Sequence, residues 1–225
     1  LIPVILQTSH LFYQAMLNLS DNLSFNKDRG RKGSIFGMHV DTDHEKEFYN
    51  LPYLIKKTLP ESILIVGSGS GNDVAAANRF DVKNIDAVEI DPIIAELGTK
   101  YHPESPYSNA NVSLEIDDAR TFIKNSKKNY DVIVYGLLDS QSNLSSKGGI
   151  RLDSYVYTVE ALTESKNRLK NDGFIFISFF VQTPEIGYKI FKMLEKANGI
   201  KPIVLKSKTN DRYIFIGGKE EADIQ

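Results

Sequence analysis

The sequence predicts an α/β fold: a mostly parallel sheet of seven strands covered by helices, preceded by a small β appendage. Three observations predict it. From Ile63 onward, short apolar runs alternate with helical stretches at close spacing, the pattern of a parallel sheet with crossover helices. The first run, Ile63–Val66, leads directly into glycines at alternate positions, Gly67, Gly69 and Gly71, a strand–loop–helix entry. The last two runs, Pro202–Leu205 and Tyr213–Ile216, are separated by a segment too short for a crossover helix. They must pair as an antiparallel hairpin, which reverses one strand.

Taken in order, residues 4–40 alternate loosely, with turn signals at Ser20-Asp21-Asn22 and across Lys27–Gly33, so strands are expected near 10–17, 22–26 and 34–39. Thr42-x-x-Glu45 is a capping box for a helix over roughly 43–58, with Pro52 as a point of kinking. The same cap accounts for the cluster Asp41, Asp43, His44 and Glu45, so no metal site is read there. These features divide the chain into an appendage over 1–42 and a sheet domain over 43–225. In that domain strands are expected near 63–66, 85–89, 112–116, 131–135 and 174–180, and helices near 72–79, 92–101, 118–126, 155–170 and 184–197. Residues 140–154 form the longest segment without a pattern. They follow the end of a strand, where open α/β sheets bind ligands, and are expected to act as a lid.

Composition narrows the function. The chain has 225 residues, 41% apolar and 25% charged, with net charge −2, so it supports one core and gives no argument for nucleic acid. The absence of cysteine excludes disulfides, thiolate nucleophiles and cysteine-ligated zinc. No window approaches the length of apolar sequence that spans a bilayer. The opening Leu-Ile-Pro-Val-Ile-Leu lacks an initiator methionine, which leads us to expect a domain of a longer protein. The four histidines (His10, His39, His44, His102) show no ligand spacing, and none is assigned to catalysis.

The glycine loop points to a nucleoside ligand. A dinucleotide fold wants Gly-x-Gly-x-x-Gly, and here the dinucleotide position is Asn72; a phosphate loop wants a lysine, and none lies between Glu61 and Lys83. The spacing Gly67-Ser68-Gly69-x-Gly71 is instead the one used with S-adenosylmethionine (SAM). Glu89 closes the second strand and is expected to bind both ribose hydroxyls, since Asp91-Pro92 already supplies the cap of the next helix. Asp118 ends the third strand region and is expected to accept from the adenine amino group while the Ala119 N–H meets a ring nitrogen. Asp118 also reads as a helix N-cap. Ile90, Asp73 and Gly136 complete the cofactor-binding candidates, and Asp139, following strand four, is the catalytic candidate.

In order along the chain stand Ile-Leu-Ile-Val-Gly-Ser-Gly-Ser-Gly, Val-Glu-Ile-Asp-Pro, Asp-Asp-Ala-Arg-Thr-Phe-Ile, Tyr130-Asp131-Val-Ile-Val, and Val156-Tyr157-Thr158-Val-Glu160 followed by Leu169 to Gly173. Over roughly 45–217 this resembles the polyamine aminopropyltransferases, the spermidine and spermine synthases, within the class I SAM-dependent methyltransferase superfamily. The expected appendage is similar to that family's N-terminal β-hairpin domain, with Tyr13-Gln14 as a loose match. The nearest likeness is to spermidine-synthase-like domains of bacterial proteins that follow membrane helices. That resemblance implies a Rossmann-like fold and a cytoplasmic location as the soluble domain of a membrane-tethered protein.

The departures shape the functional expectation. The synthases read Gly-Gly-Gly-Asp-Gly-Gly in the first loop, where the aspartate grips the amine of decarboxylated SAM; here that position is Ser70. They carry Asp-x-x-Asp after strand four, the first acid serving as base; here the positions are Gly136 and Asp139. Their Tyr-His-Glu aligns with Tyr49-Asn50-Leu51. General-base catalysis is worth roughly 10²–10⁴ in rate, so its loss points away from aminopropyl transfer. The leading expectation is therefore methyl transfer from SAM to a small-molecule acceptor, with amines as one class, Asp139 orienting it and Asp73 holding the amino group of intact SAM. The alternatives are aminopropyl transfer from decarboxylated SAM, and a non-catalytic nucleoside-binding regulatory domain. No nucleic-acid partner is expected, and a homodimer is compatible with the resemblance.

Overall fold

In the computed structural model the described residues are 43–56, 58–136, 155–181, 183–206 and 212–219. The expected appendage over 1–42, the segment 140–154 and Asp139 lie outside them. The first described element is α1 (Asp43–Leu54). It was expected to reach residue 58 but ends two residues past Pro52, whose missing N–H leaves the carbonyl of residue 48 without its intrahelical donor and weakens the last turn.

The sheet domain then runs β1 (Ser62–Val66), α2 (Asn72–Arg79), β2 (Asn84–Glu89), α3 (Pro92–Tyr101), a 3₁₀ turn (Pro106–Ser108), β3 (Val112–Ile116), α4 (Ala119–Asn125), β4 (Tyr130–Tyr135), α5 (Val159–Asn167), β5 (Leu169–Phe180), α6 (Pro184–Asn198), β6 (Ile203–Lys206) and β7 (Arg212–Gly218). The seven strands lie in the order β3-β2-β1-β4-β5-β7-β6. β1 pairs in parallel with β2 and β4, β2 with β3, and β4 with β5. β7 runs antiparallel to both β5 and β6 and is the one reversed strand. The Rossmann-like methyltransferase architecture expected from the sequence is the one found.

The central strands are apolar over most of their length because helices cover both faces. Leu64, Val66, Ile133, Tyr135, Ile175 and Ile177 face one side, against Ile123 of α4, Leu162 of α5 and Leu194 of α6. Ile63, Ile65, Val132, Val134, Phe174 and Phe176 face the other, against Tyr53 of α1 and Val74 and Ala77 of α2. The period-two alternation of these residues fixes the register.

Two further boundaries differ from expectation. α5 was expected over 155–170 but starts at Val159, where the Thr158 hydroxyl accepts the Ala161 N–H (3.1 Å) and caps the helix. β5 was expected from 174 but begins at Leu169. Tyr130 pairs with Leu169 and Val132 with Phe174, so residues 170–173 bulge. Gly173 permits this, since a Cβ there would lie 2.8 Å from the Tyr130 carbonyl oxygen.

The edge of the sheet where β1 and β4 begin is held by ions. Asp131 accepts from the backbone N–H groups of Glu61 (3.0 Å) and Ser62 (2.9 Å) and from Lys170 Nζ (2.8 Å). Lys56 reaches Asp131 (3.5 Å) and Asp172 (2.7 Å). Burial alone would raise the Asp131 carboxyl; Lys170 and the two N–H donors outweigh it and hold the group below its ordinary value. Among the described residues no helix is long and apolar enough to cross a membrane.

Candidate functional site

The site is built at the opposite edge, where β1, β2, β3 and β4 end. β1 turns into α2 through Gly67, Ser68, Gly69, Ser70 and Gly71. Gly71, the cap of α2, sits at φ 102°. A Cβ there would lie 2.6 Å from Pro106 Cγ and 3.2 Å from Tyr107 Cε2, so both backbone angle and space require glycine. Gly98 of α3 passes so close to the Ser70 backbone that it too has no room for a side chain.

Glu89 ends β2 and is 6% exposed. Its Oε2 accepts from the Gly69 N–H (2.7 Å) and its Oε1 from the Asp91 N–H (2.9 Å). Burial raises its pKa, opposed by the two N–H donors of Asp91 and Gly69. Each oxygen keeps a second lone pair, so the carboxylate that braces the loop can accept two further hydroxyl protons. Beside it Ile90 is 44% exposed and presents an apolar surface.

Asp118 caps α4, its Oδ1 accepting the Thr121 N–H (2.8 Å). The cap and ligand readings are compatible, because Oδ2 is a separate acceptor and the Ala119 N–H is a first-turn donor with no partner inside the helix. Asp91 caps α3 by accepting the Ile93 N–H (2.8 Å), with Pro92 at the first helical position, which leaves Glu89 out of that role as the sequence implied.

Asp73, in the first turn of α2, points toward β4 rather than along the glycine loop. A Cβ on Gly136 would lie 2.5 Å from Asp73 Oδ2. Asp73 keeps slight solvent access, but the packing around it dominates: burial pushes its carboxyl up to about 7, against the opposing pull of the Arg212 guanidinium. The structure thus brings the glycine loop, Glu89, Asp73 and Gly136 to one edge, with Ile90, Asp118 and Ala119 at the neighbouring strand ends.

Several residues of this edge carry no sequence signal. The Tyr107 hydroxyl lies 2.9 Å from Ser68 Oγ and 2.7 Å from the Gly69 carbonyl oxygen and donates into that pair. Burial raises the Tyr107 phenol, so it stays protonated for this purpose. His102, the C-cap of α3, accepts the Glu104 N–H at Nδ1 (3.1 Å), which leaves Nε2–H to donate to Asn72 Oδ1 (3.1 Å). His102 therefore secures the start of α2. Tyr49 of α1 approaches the same asparagine, its hydroxyl 3.5 Å from Asn72 Nδ2, and Asn50 Oδ1 accepts from Arg79 (3.1 Å). Arg212, at the start of β7, is stacked over Phe48 (4.0 Å) and Phe180 (4.8 Å). The only pointer in the sequence to these partners was the alignment of Tyr49.

Comparison with known proteins identifies the family and the fold. A spermine/spermidine synthase domain profile matches residues 45–204. A polyamine aminopropyltransferase of Buchnera aphidicola is 30% identical over 183 residues, covering 72% of this chain and 60% of that protein. The chain spans less than two thirds of the length of the curated relatives it matches, for instance 48% of the aminopropyltransferase of Sulfurisphaera tokodaii. Human methyltransferase-like protein 13, solved with SAH, superposes with a TM-score of 0.63 at 20% identity, covering 82% of this chain and 86% of that one. A spermidine synthase solved with the transition-state analogue AdoDATO gives 0.62 at 17% identity, covering 83% and 64%. These two share the fold. The glycine loop, the acid at the end of β2 and the reversed β7 are thus the frame of a recognised group, and the chain belongs to the spermine/spermidine synthase domain family.

Proposed function

We propose that the chain binds an adenosyl sulfonium at the ends of β1 to β3 and transfers a 3-aminopropyl group from decarboxylated SAM to an amine. The observation that carries the donor part is Glu89, a buried carboxylate already braced by the Gly69 and Asp91 N–H groups with acceptor capacity left for two ribose hydroxyls. Ile90, Asp118 and the Ala119 N–H are the adenine side of the same site. The glycine loop brings backbone N–H groups close to the donor. Family membership and the activity named for relatives at 30% identity support aminopropyl transfer.

Methyl transfer, the leading expectation from the sequence, gives way for two reasons. It rested on the missing acids at Ser70 and Gly136, and the relatives' names favour the aminopropyl alternative. The space beside Gly136 also holds a carboxylate after all, that of Asp73. The catalytic role of Asp139 stays a proposal, as it lies outside the described residues. The reaction asks for alignment and for an amine freed of its proton, because the sulfonium is an activated leaving group and only the neutral amine has the lone pair that attacks in line.

Mass spectrometry of products tests the reading. With decarboxylated SAM and putrescine, release of methylthioadenosine and addition of one aminopropyl unit to the amine are expected. Release of S-adenosylhomocysteine from SAM, with no reaction of the decarboxylated donor, would restore methyl transfer. Binding of methylthioadenosine without turnover of either donor would leave the regulatory-domain reading.

A further inference from the structure

We propose that Asp73 is the group that holds the acceptor amine and takes its proton, working in the space that Gly136 leaves at the end of β4; this rests on the amine-acceptor reading above. The geometry is specific to this chain. A Cβ on Gly136 would lie 2.5 Å from Asp73 Oδ2 and 3.4 Å from Asp73 Cγ. The bare backbone at 136 is therefore what admits the carboxylate, and a side chain there would displace it. Gly136 follows β4 and Asp73 is the second residue of α2, the helix that follows β1, and β1 and β4 are neighbours in the sheet. The carboxylate therefore lies beside the end of β4, next to the glycine loop proposed to meet the donor.

The backbone that carries the carboxylate is held in place. The Tyr53 hydroxyl donates to the Asp73 main-chain oxygen (3.3 Å), and the Tyr53 ring stacks on Phe80 (5.1 Å between centroids), clamping the first turn of α2 under α1. Among the described residues the titratable groups facing it are Tyr53 from α1, Tyr107 from the 3₁₀ turn and Arg212 from β7. Burial keeps both phenols protonated, with the Asp73 charge adding to it, which leaves Arg212 as the cation acting on Asp73 among the described residues. With a carboxyl at about 7, Asp73 can exchange a proton at neutral pH instead of remaining permanently ionised.

The step balances. The acceptor arrives as an ammonium and pairs with the Asp73 carboxylate. One proton moves from nitrogen to the carboxylate oxygen. The freed lone pair forms a C–N bond to the sulfonium's propyl carbon as the C–S pair returns to sulfur. The products are a neutral thioether, a secondary ammonium and a protonated Asp73, which then loses its proton to water.

Calorimetry on the full chain tests this, first with methylthioadenosine alone and then with putrescine added to that complex. Asp73→Asn should bind methylthioadenosine within threefold of the wild type and putrescine at least tenfold more weakly. Asp73→Ala combined with Gly136→Asp, which returns a carboxylate to the same space from β4, should regain most of the putrescine affinity. In the wild type, the ¹³C titration midpoint of the Asp73 carboxyl should fall when putrescine is added, a readout that needs no variant to fold. Unchanged putrescine affinity in Asp73→Asn, or an unmoved midpoint, overturns the proposal. So does a variant that loses affinity for intact SAM but not for putrescine, since Asp73 would then hold the donor's amino acid tail. A wild type that binds methylthioadenosine but no putrescine overturns it while leaving the donor site standing. One that binds neither overturns both.

Discussion

Glu89→Gln is the sharpest probe of the donor site, because Glu89 has two duties. Its two oxygens accept from the Gly69 N–H at 2.7 Å and the Asp91 N–H at 2.9 Å, and the proposed ribose hydroxyls use the remaining lone pairs. Glutamine keeps the shape but has one acceptor oxygen and one NH₂. Whichever way the amide turns, a donor faces one of the two N–H groups, so one brace is lost and one ribose hydroxyl loses a charged acceptor. A hydrogen bond to a charged group is worth about 1.5–3 kcal/mol, which converts to roughly 10- to 150-fold in affinity. Calorimetry with methylthioadenosine reads the loss directly, and thermal denaturation of the ligand-free variant should show a lower Tm from the lost brace. Affinity within threefold of the wild type would refute the ribose assignment. A lower Tm with that same unchanged affinity would mean that Glu89 only braces the loop.

Gly71→Ala should lower Tm and weaken methylthioadenosine, since it combines a left-handed backbone angle of φ 102° with a Cβ 2.6 Å from Pro106 Cγ; denaturation and calorimetry check both. Tyr107→Phe removes the hydroxyl that meets Ser68 and Gly69 and should cost about 1 kcal/mol of stability, read by urea unfolding, with weaker donor binding as the loop loosens. Asp131→Asn should destabilise by about 1–3 kcal/mol, discounted because Lys170 is 38% exposed. Its pH dependence has a definite sign. The folded carboxyl lies below the ordinary value, so the stability it contributes is present above about pH 4 and is lost as pH falls through the folded pKa. The gap between wild type and variant, measured by urea unfolding, should therefore be steady at neutral pH and close in acid.

The strand positions were legible because each central strand is buried on both faces and reads as a compact apolar run. Glu89, Asp91-Pro92 and the glycine loop were legible because their roles are local, a turn, a cap and a strand tip within about 25 residues. What was not legible depends on distant residues meeting. Tyr107 reaches Gly69 across 38 positions, and nothing in Pro106-Tyr107-Ser108 announces that a hydroxyl there will hold the loop. The bulge at 170–173 follows from pairing with β4, so a one-dimensional pattern started β5 five residues late. The sequence placed Asp73 near the donor by its spacing from Ser70; that its carboxylate turns to Gly136 depends on how α2 packs over β4. Gly136 looked like a lost acid when read alone, and becomes a vacancy filled from the next element when read with Asp73.

The ionic lattice of Asp131, Lys170, Lys56 and Asp172 lies where strands begin, and the groups proposed to face the ligand lie where they end. Distance along the strands insulates one from the other. Substitutions that retune which donor or acceptor is accepted can therefore accumulate at one rim without unsettling the fastening at the other, and a frame so divided can exchange one group-transfer chemistry for another while keeping its fold.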